Sequence, residues 1–228
     1  MRKYKTFVFD CDGVVLNSNA VKTSAFRSVA EEYGLENAAA LVEYHIRNGG
    51  ISRYRKFDYF LRNIVGTEVT PLALDSLVSK YAQQVRLGLL ECEIAPGLGE
   101  LRLKTTGIRW LLASGGDQAE LREVFAARQI DRWFDGGIFG SPDSKEFILR
   151  REIANGNAAL PALFFGDSRY DHVAATGAGL DFAFVSGWTE FELWPTYFTS
   201  EAKPHFLVHS INDFLVLQAE SFKHDTTF

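Results

Sequence analysis

The sequence predicts an α/β fold: a doubly wound, Rossmann-like parallel sheet with an inserted helical segment. Two observations predict it. Beyond residue 97, helical patterns alternate with short apolar runs typical of buried strands, which lie at 108–113, 137–139, 162–166, 182–185 and 205–208. This alternation is the pattern of a parallel sheet covered by helices on both faces. In residues 17–90, by contrast, apolar residues recur at helical spacing and no strand-like alternation interrupts them.

The first strand and the turn that follows it occupy residues 1–16, ahead of the helical segment. Within that segment, Pro71 suits the first turn of a helix that extends to the end of the segment. We therefore predict a catalytic core formed by residues 1–16 and 91–228 and a helical cap domain formed by residues 17–90.

The composition is that of an ordinary globular protein and argues against several classes of partner. Of 228 residues, 46% are hydrophobic and 23% are charged. The net charge of −5 argues against a nucleic-acid partner that relies on a positive field. No apolar stretch approaches a membrane span, and the first apolar run breaks at Asp10, so we expect no membrane segment and no signal peptide. The two cysteines, Cys11 and Cys92, suggest no disulfide framework, and the cytoplasm is the expected location.

The most informative motif is the Asp-Cys-Asp-Gly sequence at residues 10–13, which follows the apolar run 7–9. Side chains alternate across a strand, so Asp10 and Asp12 can emerge on the same side at its C-terminal end. Two carboxylates so close favour a divalent cation beside them. They also suit an aspartate that attacks phosphorus, with a second carboxyl to move the proton. Taken alone, the motif is equally typical of an ordinary Asp-Gly turn.

Three further polar motifs follow the second, third and fourth predicted strands. Ser114 and Gly115 offer a hydroxyl and backbone N–H groups to an anion. Lys145 stands early in a predicted helix, and Asp167 and Asp171 again place carboxylates beyond an apolar strand. Each motif alone is typical of a turn, a surface lysine or a helix start. Open parallel sheets bind their ligands at the C-terminal ends of strands, so the joint placement predicts one site.

The order of these motifs resembles that of the haloacid dehalogenase-like hydrolase superfamily, and the resemblance covers almost the whole chain. The surroundings are most similar to the phosphoglycolate phosphatase and β-phosphoglucomutase-like branch, whose helical cap lies between the first and second motifs. The resemblance implies an Mg²⁺-dependent phosphatase of a small phosphorylated metabolite, either a sugar phosphate or a phosphorylated acid. The Asn-Ser-Asn run at 17–19 departs from the Asp-Ser-Glu or Asp-Thr-like run of many relatives.

The resemblance also implies catalytic roles. Asp10 would be the nucleophile that becomes an aspartyl phosphate, and Asp12 would be the general acid and base. Ser114 and Lys145 would hold the phosphoryl oxygens, and Gly115 would bring backbone N–H groups to the same anion.

The metal site is implied in the same way. Asp10, the backbone carbonyl of Asp12 and Asp167 would bind Mg²⁺, and Asp171 would support the site. Physical chemistry favours these roles independently, because phosphoryl transfer depends mostly on positioning and charge neutralisation.

The cap contributes the predicted substrate contacts. Residues 45–56 combine a Gly-Gly pair, a serine that can cap a helix and several cations, and a helix N-terminus near an arginine suits an anion. In the enzymes that the chain resembles, a cap loop of this kind faces the active site. We therefore predict that Arg53 contacts the substrate, with His45 and Lys56 as further candidates. The alternative is an exposed basic helix face.

Other functions remain open at this point. A phosphomutase would use the same aspartyl phosphate. A receiver-like signalling domain would also combine a phospho-aspartate, a hydroxyl residue, a lysine and Mg²⁺, but its acceptor would follow a later strand. A haloacid dehalogenase would need neither Asp12 nor Mg²⁺, and the Asp-x-Asp motif of a glycosyltransferase would leave the later motifs unexplained. Monomer and homodimer are both open. The aromatic stretch 188–198 is predicted to cover the core, with a partner surface as the alternative.

Overall fold

The structure, a computed structural model, describes residues 4–200 and 203–224, and these contain a six-stranded sheet. Its strands are β1 (Thr6–Phe9), β2 (Arg109–Asp117), β3 (Ile138–Ser141), β4 (Ala162–Gly166), β5 (Asp181–Val185) and β6 (Phe206–Val208). All neighbouring strands are parallel, in the order β3-β2-β1-β4-β5-β6. The predicted fold class is thereby confirmed. The largest difference in a boundary is that β2 continues beyond its predicted end and pairs Asp117 with Ser141 after a shift in register, whereas the other strand ends differ from the predicted ones by at most two residues.

The two central strands, β1 and β4, are buried along their whole length. Phe9 and Phe165 stack with ring centroids 4.7 Å apart on one face of the sheet, whereas Val8 and Phe164 belong to the hydrophobic cluster on the other face. A strand buried on both faces has no polar positions to alternate with apolar ones. This explains why both strands appear in the sequence as uninterrupted apolar runs.

Helices connect the successive strands of the sheet. Between β1 and β2 lie α1 (Asn19–Ala30), α2 (Leu35–Arg47), α3 (Arg53–Tyr59), continued by a π-helical turn, and α4 (Pro71–Glu91). The later helices are α5 (Leu98–Lys104), α6 (Gln118–Ala127), α7 (Lys145–Ala154), α8 (Arg169–Gly177), α9 (Trp194–Ser200) and α10 (Ile211–His224). The predicted helical segment is confirmed, including the helix that starts at Pro71. The division into a core and a cap domain stays a prediction, and we use "cap segment" for residues 17–90. Within the described ranges, none of the helices is both long and apolar enough to cross a membrane.

The helices of the cap segment pack around aromatic side chains. The ring of Phe26 on α1 lies 4.4 Å from that of Tyr81 on α4 and 5.2 Å from that of Phe57 on α3, and all three residues are buried. Gly88 on α4 permits this close approach, because a Cβ atom there would collide with the side chain of Val21 on α1. These side chains belong to the same hydrophobic cluster as one face of the sheet, and this packing gives the side chains that line the inner surface of the segment fixed positions.

The topology brings the sequence motifs to one edge of the sheet. β1 lies between β2 and β4, so the residues that follow these three strands are neighbours in space. The chain order reverses at β1, and ligands of open parallel sheets bind at such a reversal. The aromatic stretch 188–198 runs from the loop after β5 into α9. Phe198 is buried and Phe191 packs against the core, so the stretch covers the core as predicted.

Candidate active site

Asp10 is the buried residue at the carboxyl end of β1, and its position is set by backbone and side-chain hydrogen bonds. Its Oδ1 accepts a hydrogen bond from the N–H of Cys11 at 2.7 Å, and its Oδ2 lies 2.9 Å from the Nζ of Lys145. Burial and the nearby Asp171 carboxylate raise the pKa of Asp10 to about 7, although Lys145 opposes the shift. The site thus holds a carboxylate that lacks full compensation by a cation.

Lys145, the first residue of α7, is fully buried between two carboxylates. Its Nζ lies 2.9 Å from Asp10 Oδ2 and 2.5 Å from Asp171 Oδ1. Burial alone would lower the pKa of this lysine, but the two carboxylates raise it above its ordinary value. Ser144 caps α7 by accepting the N–H of Phe147, which fixes the start of the helix and hence the lysine. Lys145 is therefore a permanent cation beside Asp10.

Asp167 and Asp171 come from the end of β4 and the first turn of α8. Asp171 forms a capping box with Ser168, whose N–H and Oγ both donate to its Oδ2. Gly166 makes room for this carboxylate, because a Cβ at that position would collide with Asp171. Asp167 accepts a hydrogen bond from the side-chain amide of Asn19 at 2.8 Å. Burial, Asp171 and Asp10 together raise the pKa of Asp167 well above its ordinary value.

These carboxylates form a cluster that fits a hard divalent cation. One oxygen atom each of Asp10, Asp167 and Asp171 lie within 4.8 Å of one another, and all three residues are buried. Burial and the neighbouring carboxylates raise the pKa values of Asp10 and Asp167, and a bound cation would oppose both shifts. Clustered carboxylate oxygens are the ligand type of Mg²⁺. The carboxylate of Asp12 is not among the three, and the participation of its backbone carbonyl stays a prediction.

The carboxylate of Asp12 is held instead by two residues at the start of the cap segment. Its Oδ1 accepts a hydrogen bond from Ser18 Oγ, and its Oδ2 accepts one from Lys22 Nζ, both at 2.6 Å. Burial would raise the pKa of Asp12, but Lys22 and Ser18 hold it below its ordinary value. Both neighbours were missed in the sequence, as was Asn19. The signal that could have found them is the set of polar residues one helical turn apart, directly after the first motif.

The loop after Ser114 lies against the cap segment. Ser114 is fully buried, and its Oγ accepts the N–H of Gly116 at 3.0 Å. A Cβ at Gly115 would collide with the carbonyl oxygen of Gly50, so only glycine allows this approach. A Cβ at Gly50 would lie 3.3 Å from Lys145 Nζ, which places the Gly-Gly loop of the cap segment next to Lys145.

A cavity of about 270 Å³ lies between the carboxylates and the cap segment. The predicted site residues that line it are Asp10, Asp12, Asp167, Gly115, His45, Arg53 and Lys56. The structure therefore brings these motif residues and the candidates from the cap to one cavity, whereas Ser114, Lys145 and Asp171 are buried and are not among its lining residues. Their roles in catalysis and binding stay predictions.

Arg53 is buried and engaged by its neighbours. Its guanidinium forms a two-pronged ion pair with the Glu120 carboxylate on α6 and lies 4.7 Å from the centre of the Tyr81 ring. The adjacent Tyr54 donates a hydrogen bond to Asp117 at 3.0 Å. Contact between Arg53 and a substrate stays a prediction, and the geometry adds a second role for this residue in joining α3 to α6. Glu120 was not singled out in the sequence.

His45 and Lys56 form a buried pair on the inner surface of the cap segment. Lys56 Nζ lies 2.7 Å from His45 Nδ1. Burial and the nearby Lys22 ammonium lower the pKa of Lys56 to about 7. Burial and the nearby Lys56 and Lys22 lower the pKa of His45 well below its ordinary value, so its imidazole is neutral. Among the described residues, the Nε2 of His45 has no hydrogen-bond partner.

Comparison with known proteins identifies the family. A family model described as haloacid dehalogenase-like hydrolase matches residues 4–179. The chain belongs to the haloacid dehalogenase-like hydrolases. Phosphoglycolate phosphatase 1 of Pseudomonas aeruginosa is 28% identical to this hydrolase over an alignment of 190 residues, and the match covers 76% of this chain and 66% of that protein. The match therefore spans slightly less than two thirds of the curated relative.

Solved structures share the fold of this hydrolase at lower identity. A predicted phosphoglycolate phosphatase from Haemophilus somnus superimposes with a TM-score of 0.72 at 18% identity, covering 96% of this chain and 99% of that one. A β-phosphoglucomutase from Clostridium difficile superimposes with a TM-score of 0.71 at 19% identity, covering 97% and 98%. Identities this low establish a common fold.

Proposed function

We propose that this hydrolase is an Mg²⁺-dependent phosphatase that acts on a small phosphorylated metabolite through an aspartyl phosphate. One observation carries the proposal: a buried aspartate at the end of β1 contacts a buried lysine and shares a cluster with two further carboxylates beside a cavity. Phosphoryl transfer needs an in-line nucleophile and concentrated positive charge around the phosphoryl oxygens. In this cluster Asp10 would supply the nucleophile. Lys145 and a cation held by the carboxylates would supply the positive charge.

The reaction would proceed in two steps. In the first, a carboxylate oxygen of Asp10 bonds to phosphorus, the bond from phosphorus to the ester oxygen breaks, and Asp12 gives a proton to the leaving alkoxide. In the second, Asp12 takes a proton from water as the water oxygen bonds to phosphorus, and the bond to Asp10 breaks. Lys145, Ser114 and the N–H groups near Gly115 would bind the phosphoryl oxygens in both steps.

We propose that Asp10, Asp167 and the backbone carbonyl of Asp12 hold Mg²⁺, with Asp171 orienting the site through Lys145 and Ser168. When bound, the ion would offset the negative charge of the cluster and of the phosphoryl group. A cytoplasmic location and a small-molecule partner belong to the same proposal, and both follow from the composition and the size of the cavity.

A phosphomutase is the second candidate, and one observation favours it. The close contact between Gly50 and Gly115 holds the cap segment against the loop that follows Ser114, and a mutase has to keep water away from its aspartyl phosphate. A receiver-like signalling domain is disfavoured, because the candidate acceptor follows the first strand and the chain carries a helical insert over its site.

A phosphate-release assay tests the proposal. We expect the purified protein to release phosphate from members of a panel of sugar phosphates, phosphorylated acids and a generic aryl phosphate when Mg²⁺ is present. Asp10→Asn should abolish turnover without unfolding the protein, because it removes the nucleophile but keeps the shape of the side chain. Asp75→Asn, at an exposed position on α4, is the matched control and should keep full activity.

Two results would contradict this function. Substantial phosphate release by a folded Asp10→Asn variant would exclude the covalent mechanism. Conversion of a sugar phosphate to its isomer without phosphate release would favour the mutase.

A further inference from the structure

Two of the buried basic residues that line the cavity already form ion pairs with carboxylates. Lys22 contacts the Asp12 carboxylate at 2.6 Å, and Arg53 contacts the Glu120 carboxylate. The remaining buried cation is Lys56, which donates to His45. The charge around Lys56 therefore decides whether the part of the cavity inside the cap segment can accept a second anionic group of the substrate.

Glu190 offsets this charge. It lies on the loop between β5 and α9, lines the same cavity, and accepts a hydrogen bond from Thr23 Oγ1 to its Oε1 at 2.8 Å. Its carboxylate and the Lys56 ammonium attract each other electrostatically. The exposed Arg47 and Arg169 also line the cavity, but water screens their charges.

The His45 imidazole leaves a buried donor unmet beside Oε2 of the partly exposed Glu190 side chain. A protonated Lys56 offers only donors, so His45 Nδ1 accepts and the ring proton lies on Nε2. This buried N–H has no partner among the described residues, and it lies 3.8 Å from Glu190 Oε2, too far for a hydrogen bond. A buried unmet donor is costly, which indicates a ligand group that completes the arrangement.

We propose that His45 Nε2 and Glu190 Oε2 together bind a hydroxyl group of the substrate, so that the enzyme prefers phosphorylated sugars and polyols to phosphorylated carboxylic acids. A hydroxyl accepts from the imidazole N–H and donates to the carboxylate at the same time. A carboxylate in its place would meet the like charge of Glu190. This inference rests on the proposed phosphatase function and narrows its substrate.

The kcat/KM values of wild type and Glu190→Gln on three substrates test it: a hexose phosphate, phosphoglycolate and a generic aryl phosphate. Wild type should favour the hexose phosphate over phosphoglycolate by at least about tenfold, the scale of a buried polar group left unpaired. Glu190→Gln should lower kcat/KM for the hexose phosphate about tenfold, raise it for phosphoglycolate and leave the aryl phosphate unchanged.

Two further variants keep the test specific. Thr23→Val removes the hydroxyl that orients Glu190. It should therefore change kcat/KM for the hexose phosphate and for phosphoglycolate in the same directions as Glu190→Gln, by smaller factors. Glu192→Gln changes an exposed carboxylate on the same loop and should shift neither.

The inference is overturned if wild type prefers phosphoglycolate, or if Glu190→Gln alters both classes by the same factor. Failure of the proposed function looks different: wild type would hydrolyse none of the three substrates, the aryl phosphate included, and the inference would fall with it.

Discussion

Two buried lysines in this protein, Lys145 and Lys56, have pKa values shifted in opposite directions by their different neighbours. Lys145 contacts two carboxylates, which raise its pKa and keep it charged. Lys56 contacts an imidazole and lies near Lys22, so burial dominates and lowers its pKa to about 7. The same side chain is therefore a permanent cation beside Asp10 and a titratable donor inside the cap segment.

We predict that Lys56→Met stabilises the protein at neutral pH. The folded pKa of about 7 lies below the ordinary 10.5, so between these values the unfolded chain binds more protons at this lysine. The unfavourable contribution is then largest near or below pH 7 and fades as pH rises toward 10.5. Denaturant unfolding should show a gain of about 2–4 kcal/mol at pH 7 that falls by more than half at pH 9.5. Lys80→Met, at an exposed ion pair, should show no such pH dependence, and a pH-independent gain for Lys56→Met would contradict the shift.

At the scale of elements, the contact between α3 and α6 joins the cap segment to the loop that follows β2. Arg53 and Tyr54 on α3 contact Glu120 and Asp117 at the start of α6. Asp117 also caps α6 by accepting the N–H groups of its first turn. The contact therefore ties the position of the cap segment to the segment that carries Ser114.

We predict that Glu120→Ala destabilises the protein by about 3 kcal/mol, because it leaves the buried Arg53 guanidinium without its carboxylate. The exposed pair Arg86–Glu123 joins α4 to α6 nearby, and Glu123→Ala should cost less than about 1 kcal/mol. Denaturant unfolding gives both values, and hydrogen exchange of α3 should accelerate only in Glu120→Ala. Equal effects of the two substitutions would show that the buried pair does not hold α3.

The same variants separate two roles of Arg53. If Arg53 only holds α3 on α6, then Arg53→Ala and Glu120→Ala lower kcat/KM by the same factor. If it also contacts the substrate, Arg53→Ala loses about one to three further powers of ten on the physiological substrate but not on a generic aryl phosphate.

At the scale of the whole molecule, the sheet gathers three carboxylates beside one lysine, so their mutual repulsion is only partly offset. Asp10, Asp167 and Asp171 come from two strand ends and one helix start, and the fold holds their oxygens within 4.8 Å. Packing in the core therefore sustains an electrostatic cost at the site, which is common where function needs concentrated charge.

We predict that Mg²⁺ raises the melting temperature of the wild-type protein, because it binds the folded state and relieves this repulsion. At one hundred times its dissociation constant, a ligand adds about 2.7 kcal/mol, and each kcal/mol corresponds to about 2–4 °C for a chain of this size. Asp167→Asn should abolish the rise and melt higher than wild type without Mg²⁺. Thermal melts with Mg²⁺ or a chelator measure both effects, with the exposed Asp131→Asn as control. A full rise in Asp167→Asn would place the ion elsewhere.

Much of this architecture can be predicted from sequence because its signals are local. Uninterrupted apolar runs identify the central strands β1 and β4, and helical spacing identifies the cap segment. Once the strands are known to be parallel, the polar residues that follow them must meet at one edge. Asp10, Lys145 and Asp167 could be assigned to a common site in this way, and the structure brings them together.

The pairing of charges across the cavity depends on tertiary structure alone. Arg53 and Glu120 are 67 residues apart, and Thr23 and Glu190 are 167 apart, so no periodicity or motif relates them. The sequence by itself determined the sheet, the helical insert and the polar motifs that follow the strands, since each depends on neighbouring residues or on strand order. Only the tertiary structure decides which cations are neutralised by a carboxylate and which polar groups remain for a substrate. Both depend on how the cap segment packs against the sheet, because electrostatic interactions depend on distance in space and on burial.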